Sequence, residues 1–439
     1  MVSTELSGLI SSLANTLMVG RLGTHDLASL VLATGIVMLI YIWGFGVYGA
    51  VSALTSEAEG RGEFEEVGHT ARMGVWCCLI ISVCAIPVMG MSADILIFLG
   101  QNNSASRLAE QYLLIYQWSI YFSLIAIIII AFLCSIDRAA MIFWFGAVAA
   151  LMKVTLNFLL IFGWFGFPAL GLIGAAIASV CADASMCFLL IFYSFWDKKA
   201  RRCAVYSRFW RPDLTRIIQV FKFAFPISLL YLGEAVILYT AAIYMGWIGI
   251  VAVASHGIAM QILGVLYIFP SGITSAGVVR VAQAFGRGDR EAIAYSGWTL
   301  LGVSIVIALL LSPILIVYSK PMASFFISTQ NPHYSQIISL TSSLLLIGAL
   351  ILLPEYLQLA AASALRGLSD TRMPMLLSLL CYIGVSIPLA YILGFWLGMG
   401  PVGIWIGLGS GFALAAALLV HRFIRREKLN LVKGDKVGE

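Results

Sequence analysis

Charge is scarce in this chain. Only 11% of its 439 residues are Asp, Glu, Lys or Arg, and 61% are hydrophobic, whereas a soluble globular chain carries about 25% charged and about 45–50% apolar residues. That imbalance excludes a row of soluble domains, which the length alone would otherwise suit. Long polar stretches are missing too, so no catalytic domain fits outside the apolar segments. No nucleophile–base pair, metal-ligand cluster or phosphate-binding loop stands at the end of one, and the chain is not expected to be an enzyme. The eight cysteines have neither metal-ligand spacing nor the pattern of a disulfide framework, and all but Cys203 lie in apolar segments as small packing residues. His25, His69, His256, His333 and His421 lack ligand spacing as well, so no cofactor and no dedicated metal centre are expected. The opening Met-Val-Ser-Thr-Glu-Leu has no basic stretch and no small-residue cleavage site, so no secretory signal is expected. The chain begins inside its first apolar run, and a longer natural N-terminus is therefore expected.

What is present is a series of apolar runs bounded by Gly, Pro or charge. They fall near 4–21, 28–55, 69–90, 109–134, 140–163, 170–195, 217–246, 253–278, 293–316, 337–365, 373–394 and 402–423. A helix needs about 20 apolar residues to cross a bilayer, and a hydrocarbon core leaves an open sheet no partner for its backbone groups. The runs therefore predict an all-α polytopic membrane protein with twelve transmembrane helices.

The positive charges orient it. With the N-terminus in the cytoplasm, nearly all of the 26 Lys and Arg lie in or beside cytoplasmic segments; Arg21, Arg107 and Lys320 fall outside and Lys153 within a span. The densest clusters are the central loop, from Asp197 through Arg208, Arg211 and Arg216, and the stretch Arg422–Lys428. The positive-inside rule thus places both termini in the cytoplasm of a cell (inner) membrane. The net charge of +5 is a topology signal, and no nucleic-acid partner is expected.

The chain also repeats. Val19-Gly-Arg-Leu-Gly23 returns as Met245-Gly-Trp-Ile-Gly249, and Glu57-Ala-Glu-Gly-Arg-Gly62 as Gln283-Ala-Phe-Gly-Arg-Gly288, both 226 positions later. Gly171 in Gly-Leu-Ile-Gly matches Gly403 in Gly-Ile-Trp-Ile-Gly, 232 positions on. Two parallel six-helix repeats follow: a first lobe over 1–196, a basic inter-lobe loop over 197–214, a second lobe over 215–424 and a cytoplasmic tail over 425–439. Parallel repeats of this kind characterise secondary transporters that alternate access around a midplane site.

Four ionisable residues lie deep in the runs, where charge costs several kcal/mol and marks function: Lys153, Asp183, Glu234 and Glu355. Glu234 is about 12 residues, roughly 18 Å, from the end of its span, and Glu355 roughly 16 Å from the cytoplasmic face. Two carboxylates facing each other at that depth repel, and a shared proton or cation such as Na⁺ relieves the repulsion. Lys153 and Asp183 sit at matching depths, roughly 15 and 20 Å in, which suits either an internal pair or a coupling role. Trp43, Tyr48, Tyr231 and Tyr239 are candidates for lining a cavity for flat cations through their ring faces. Packing and interfacial anchoring compete with that role. Gly60, Gly62, Gly286 and Gly288 mark tight turns.

Several segments resemble the multidrug and toxic compound extrusion (MATE) family. They are Asn15-Thr-Leu-Met-Val-Gly-Arg-Leu-Gly-Thr-His-Asp-Leu-Ala28, Ala254-Ser-His-Gly-Ile-Ala-Met-Gln261, Val278-Val-Arg-Val-Ala-Gln-Ala-Phe-Gly286 and Ala364-Leu-Arg-Gly-Leu-Ser-Asp-Thr-Arg372, in family order and spacing. The resemblance implies a V-shaped pair of six-helix lobes and export of amphipathic, often cationic, drugs and toxic compounds in exchange for H⁺ or Na⁺. It also implies that Glu234 and Glu355 are the family's acidic residues of the seventh and tenth spans, with Gln358 close by. The first half departs from the pattern. Asn15 stands where many relatives carry Asp, and Lys153-Val-Thr-Leu-Asn157 where they carry Asn-x-x-x-Asp. A first-half Na⁺ site is therefore in doubt, and Asn15, Lys153, Asn157 and Asp183 remain candidates for coupling. A lipid-linked precursor flippase of the same superfamily is the alternative, and Lys153 is the one cationic cavity residue it would use. A major facilitator transporter would carry a basic Gly-x-x-x-Asp-Arg-x-Gly loop, where this chain has the acidic run Ser56–Glu66. The partners expected are a small-molecule substrate and the bilayer, around a monomer.

Overall fold

The computed structural model describes residues 2–166, 168–207, 209–327 and 332–432; Arg208 of the basic loop and the tail from 433 lie outside the described residues. The described residues are mostly helical, with turns between the helices and no strand. They divide into two compact units, Ser3–Ser228 and Leu229–Glu439. The first holds α1 (Val2–Gly20), α2 (Thr24–Gly60), α3 (Phe64–Gly90), the short α4 (Ser92–Phe98), α5 (Asn103–Ser135), α6 (Ala140–Phe162), α7 (Gly171–Trp196) and α8 (Lys198–Arg202). α9 (Leu214–Ile248) crosses the division, so its first turns belong to the first unit. The second continues with α10 (Ile250–Leu266), α11 (Ile268–Arg287), α12 (Arg290–Phe325), α13 (Tyr334–Gly367), α14 (Arg372–Cys381), α15 (Ile387–Tyr391) and α16 (Gly400–Ile424).

Eleven spans among the described residues are long and apolar enough to cross a membrane, starting with Thr24–Gly60. The twelfth expected, 4–21, is α1, which is helical but more polar, because Glu5, Asn15 and several Ser and Thr dilute its apolar residues. Most helices overrun the lengths read from hydropathy, since α2, α12 and α13 continue as 37, 36 and 34 residues. Backbone pairing does not stop where the apolar run does. Side-chain caps close some ends: Asn102 accepts from the Ser104 and Ala105 amides at 3.0 and 3.3 Å, and Asp289 accepts from Ala292 at 2.9 Å, which satisfies amides that have no intrahelical partner.

The internal repeat is visible in local backbone. Gly23 and Gly249 share φ near 150° (151° and 141°), and Gly62 and Gly288 share the left-handed region at 77° and 71°. Asp137 and Ser369, 232 positions apart, both have φ 61°, and the amide of the next residue returns to Leu133 or Leu365 at 2.8 or 3.0 Å. Gly60 and Gly286, expected in turns, instead finish helices.

Two spans are interrupted. Pro270 has no amide to offer the Leu266 carbonyl; the Tyr356 hydroxyl donates to that carbonyl instead, at 2.8 Å. The break leaves Tyr267 at the joint between α10 and α11. Further on, α14 gives way to π-helical turns at Tyr382–Ser386 and Ile392–Trp396 that flank α15. Such turns re-aim side chains and recur at functional sites.

Where helices meet, small residues set the distance, as expected when lipid supplies no hydrophobic driving force between spans. At Gly407 of α16 a Cβ would lie 2.3 Å from the backbone of Ala390, so α15 and α16 touch backbone to backbone. Gly407→Val is expected to lower the melting temperature of the purified protein, because overpacking costs about 1–3 kcal/mol even where side chains can give way. An unchanged melting curve would contradict the close approach.

At the ends of the first unit's helices, charges are paired. Arg138 Nε meets Asp197 Oδ2 at 2.8 Å, Lys199 meets Glu59 at 2.9 Å and Arg61 meets Glu57 at 3.0 Å. Partial burial pushes the Asp197 carboxyl up. The Ala200 amide, the Arg138 guanidinium and the Lys199 amide outweigh this and hold it below the usual carboxylate range.

Candidate functional site

Glu234 lies on α9, two turns after Pro226, and Glu355 on α13, directly after Pro354. Both are half-buried, and each lies within electrostatic reach of the other. The neighbouring Gly233 brings α9 against the turn that carries Tyr382, since a Cβ there would stand 2.4 Å from Leu379 and 3.4 Å from the Tyr382 ring.

Two tyrosines complete the cluster. The Tyr267 hydroxyl, at the α10–α11 joint, donates to Glu234. Tyr382 opens the first π-helical turn, is fully buried, and takes a hydrogen bond from Gln358 Nε2. Both tyrosines lie within electrostatic reach of both glutamates. Among the described residues Glu234 Oε2 and Gln358 Oε1 are buried oxygens with no hydrogen-bond partner. A buried acceptor left unsatisfied costs about 1–3 kcal/mol, more when charged. The cluster thus holds two acceptors without donors, which a proton or a small cation would satisfy.

The first unit has two separate polar groups. Asn15 and Asn157, both buried, are joined by a hydrogen bond from Asn157 Nδ2 to Asn15 Oδ1 at 3.0 Å. Asp183 on α7 is held by the Ser119 hydroxyl of α5. Ser119 bonds Tyr116, Tyr116 bonds Tyr41, and Tyr41 meets the Ser123 hydroxyl at 2.7 Å. Lys153 acts on Asp183 electrostatically, but the two form no ion pair within 4 Å among the described residues. Their depth in the sequence allowed a direct pair; a serine on a third helix takes that place.

The aromatic candidates separate. Trp43 is 39% exposed and lies 5.9 Å from the Phe225 ring; it and the half-buried Tyr48 belong to the first unit. Tyr231 carries the Arg366 guanidinium over its ring at 5.9 Å. Tyr239 is 59% exposed and lies five residues past Glu234, which turns it to another face of α9. His256 is buried and accepts from Trp405 Nε1 at 3.2 Å, a packing contact. Tyr267, Tyr382, Tyr41, Tyr116 and Ser119 were not legible as site residues. Only Pro270, three residues past Tyr267, hinted at a break there.

The MatE family matches residues 2–159 and 226–392. A probable multidrug resistance protein NorM of Rhizobium meliloti is 35% identical over 424 residues, covering 97% of this chain and 91% of that protein. Its namesake in Brucella suis is 33% identical over 427 residues, with 97% and 91% covered. Among solved structures, a MOP superfamily transporter from Pyrococcus furiosus, described as having a binding pocket of reversed polarity, superposes with a TM-score of 0.89 at 18% identity over 99% of this chain and 94% of that one. The eukaryotic MATE transporter AtDTX14 gives 0.83 at 18% identity, with 98% and 96% covered. At that identity the structures establish a common fold.

Proposed function

Because the chain belongs to the MatE family, the multidrug and toxic compound extrusion transporters, we propose that it exports amphipathic, cationic drugs and toxic compounds in exchange for H⁺ or Na⁺ by alternating access. It is a multi-pass membrane transporter of small molecules, not an enzyme. The observation that carries the coupling is the orphaned Glu234 Oε2 beside a second carboxylate, Glu355. Loading a cation there satisfies the oxygen and cancels the repulsion, so the loaded and empty clusters favour different packings of the helices that bear them. Differential binding of that kind is what allows an ion to bias a conformational equilibrium. Glu234 and Glu355 are assigned the coupling ion; Tyr231 and Gln358 are the second-unit candidates for contact with substrate. In the first unit, Trp43 and Tyr48 keep the same role. The basic loop supports a reading with both termini on the cytoplasmic side of the inner membrane, and the transporter is proposed to work as a monomer.

Lys153 is the observation on the side of the flippase reading, since a cation in a span suits an anionic lipid-linked substrate. Asp183 opposes it electrostatically. Expression in a host stripped of its own efflux pumps is expected to lower the accumulation of a lipophilic cationic dye. Unchanged accumulation across a broad dye panel, with the protein verified in the membrane, would favour the flippase instead.

A further inference from the structure

Near the end of α7 that leads into the basic loop, the first unit has an apolar groove of about 620 Å³ with charge at its rim, lined by Phe145, Phe192, Tyr193, Trp196, Arg138 and Lys198. A second hollow of about 590 Å³ shares Leu189 and Phe192 with it and extends it back to Ser185. From Ser185 to Trp196 the helix rises about 16 Å, close to the ~15 Å hydrocarbon depth of one leaflet. The surface is open: Phe188, Phe192 and Trp196 are 60%, 62% and 74% exposed, and Phe192 and Trp196 lie 5.7 Å apart.

The rim is positive. Asp197 spends one oxygen on the Lys199 and Ala200 amides, at 2.9 and 3.0 Å. Its other oxygen takes Arg138 Nε at 2.8 Å, and Tyr193 bonds the same carboxylate. Arg138 therefore enters its pair through Nε alone. Its terminal nitrogens and the ammonium of the exposed Lys198 have no partner among the described residues. Arg201 and Arg202 stand on the following turn, both exposed.

We propose that this groove binds one anionic phospholipid, with an acyl chain along Phe188, Leu189 and Phe192 and the phosphate between Arg138 and Lys198. Basic rims over apolar floors at a membrane face suit acidic headgroups. The floor selects a lipid over a free phosphate, and the paired guanidinium and ammonium select an anionic headgroup over a zwitterionic one. The groove belongs to the first unit and uses neither Glu234 nor Glu355, and it does not depend on the transport reading.

The test uses the full chain purified in a neutral detergent, titrated with phosphatidylglycerol or with phosphatidylcholine of the same acyl chains, and read by melting temperature and by native mass spectrometry. Phosphatidylglycerol is expected to raise the melting temperature saturably with one lipid retained, and phosphatidylcholine to do so far less. Glycerol phosphate, the headgroup without tails, is expected to have no effect. Lys198→Gln leaves the Arg138–Asp197 pair intact and should weaken phosphatidylglycerol about fivefold, the worth of one basic residue at a membrane surface; Arg138→Gln should weaken it at least as much. Equal shifts with both lipids, an undiminished preference in Lys198→Gln, or a full response to glycerol phosphate would each overturn the proposal.

Discussion

Glu234→Gln and Glu355→Gln are each expected to abolish ion-driven efflux, and the double variant to be no worse than either single one. Glutamine keeps the length and most of the hydrogen bonding of glutamate but cannot take up a proton or bind Na⁺ as a carboxylate. At position 234 the amide oxygen can still accept from Tyr267, so the α9–α10 contact survives and the proteins should fold. What disappears is the carboxylate charge. The two carboxylates act on each other, and Tyr267 and Tyr382 act on both, as expected of one shared site. Residues that share a site give non-additive losses. Efflux from cells, with surface expression and melting temperature measured alongside, checks the series. Two partial losses that add up in the double variant would show separate sites.

In the first unit the larger effect is on stability. Asp183→Leu removes the acceptor of the Ser119 hydroxyl and the negative charge near Lys153. Losing a hydrogen bond to a charged group costs about 1.5–3 kcal/mol, and the negative charge near Lys153 goes with it. Asp183→Leu is therefore expected to lower the melting temperature strongly. Lys153→Met should do so less, because Asp183 keeps its Ser119 bond, and the double variant should recover part of the Asp183→Leu loss. No recovery would mean that the two charges do not sense each other. Normal stability with lost efflux in Lys153→Met would instead place the lysine in the coupling cycle.

How much of this was legible depended on the kind of signal. Apolar runs are long and redundant, so the helices of both units could be read from hydropathy and the 226-residue repeat. The run 4–21 is α1, a helix that its polar residues leave less apolar than the other spans. The span read over 253–278 is really two helices joined at Tyr267; a proline marks the place but not the hydroxyl that repairs it. The run 373–394 gave no sign of its π-helical turns, since an added residue per turn leaves composition unchanged. Glu234 and Glu355 stood out because charge in a span is rare. Tyr267, Tyr382 and Ser119 did not, because tyrosine and serine are ordinary in spans and their roles come from which helix lies opposite. For the same reason the depth match of Lys153 and Asp183 suggested a contact that Ser119 makes instead.

The most direct test is exchange in sealed vesicles that contain the purified protein and a fluorescent cation, with a pH gradient and a Na⁺ gradient imposed separately. Ion-coupled export predicts dye movement against its own gradient when one of the two ions runs down its own, and no such movement in vesicles made with Glu234→Gln or Glu355→Gln. Dye movement that ignores both gradients, or that persists unchanged in the two variants, would contradict it.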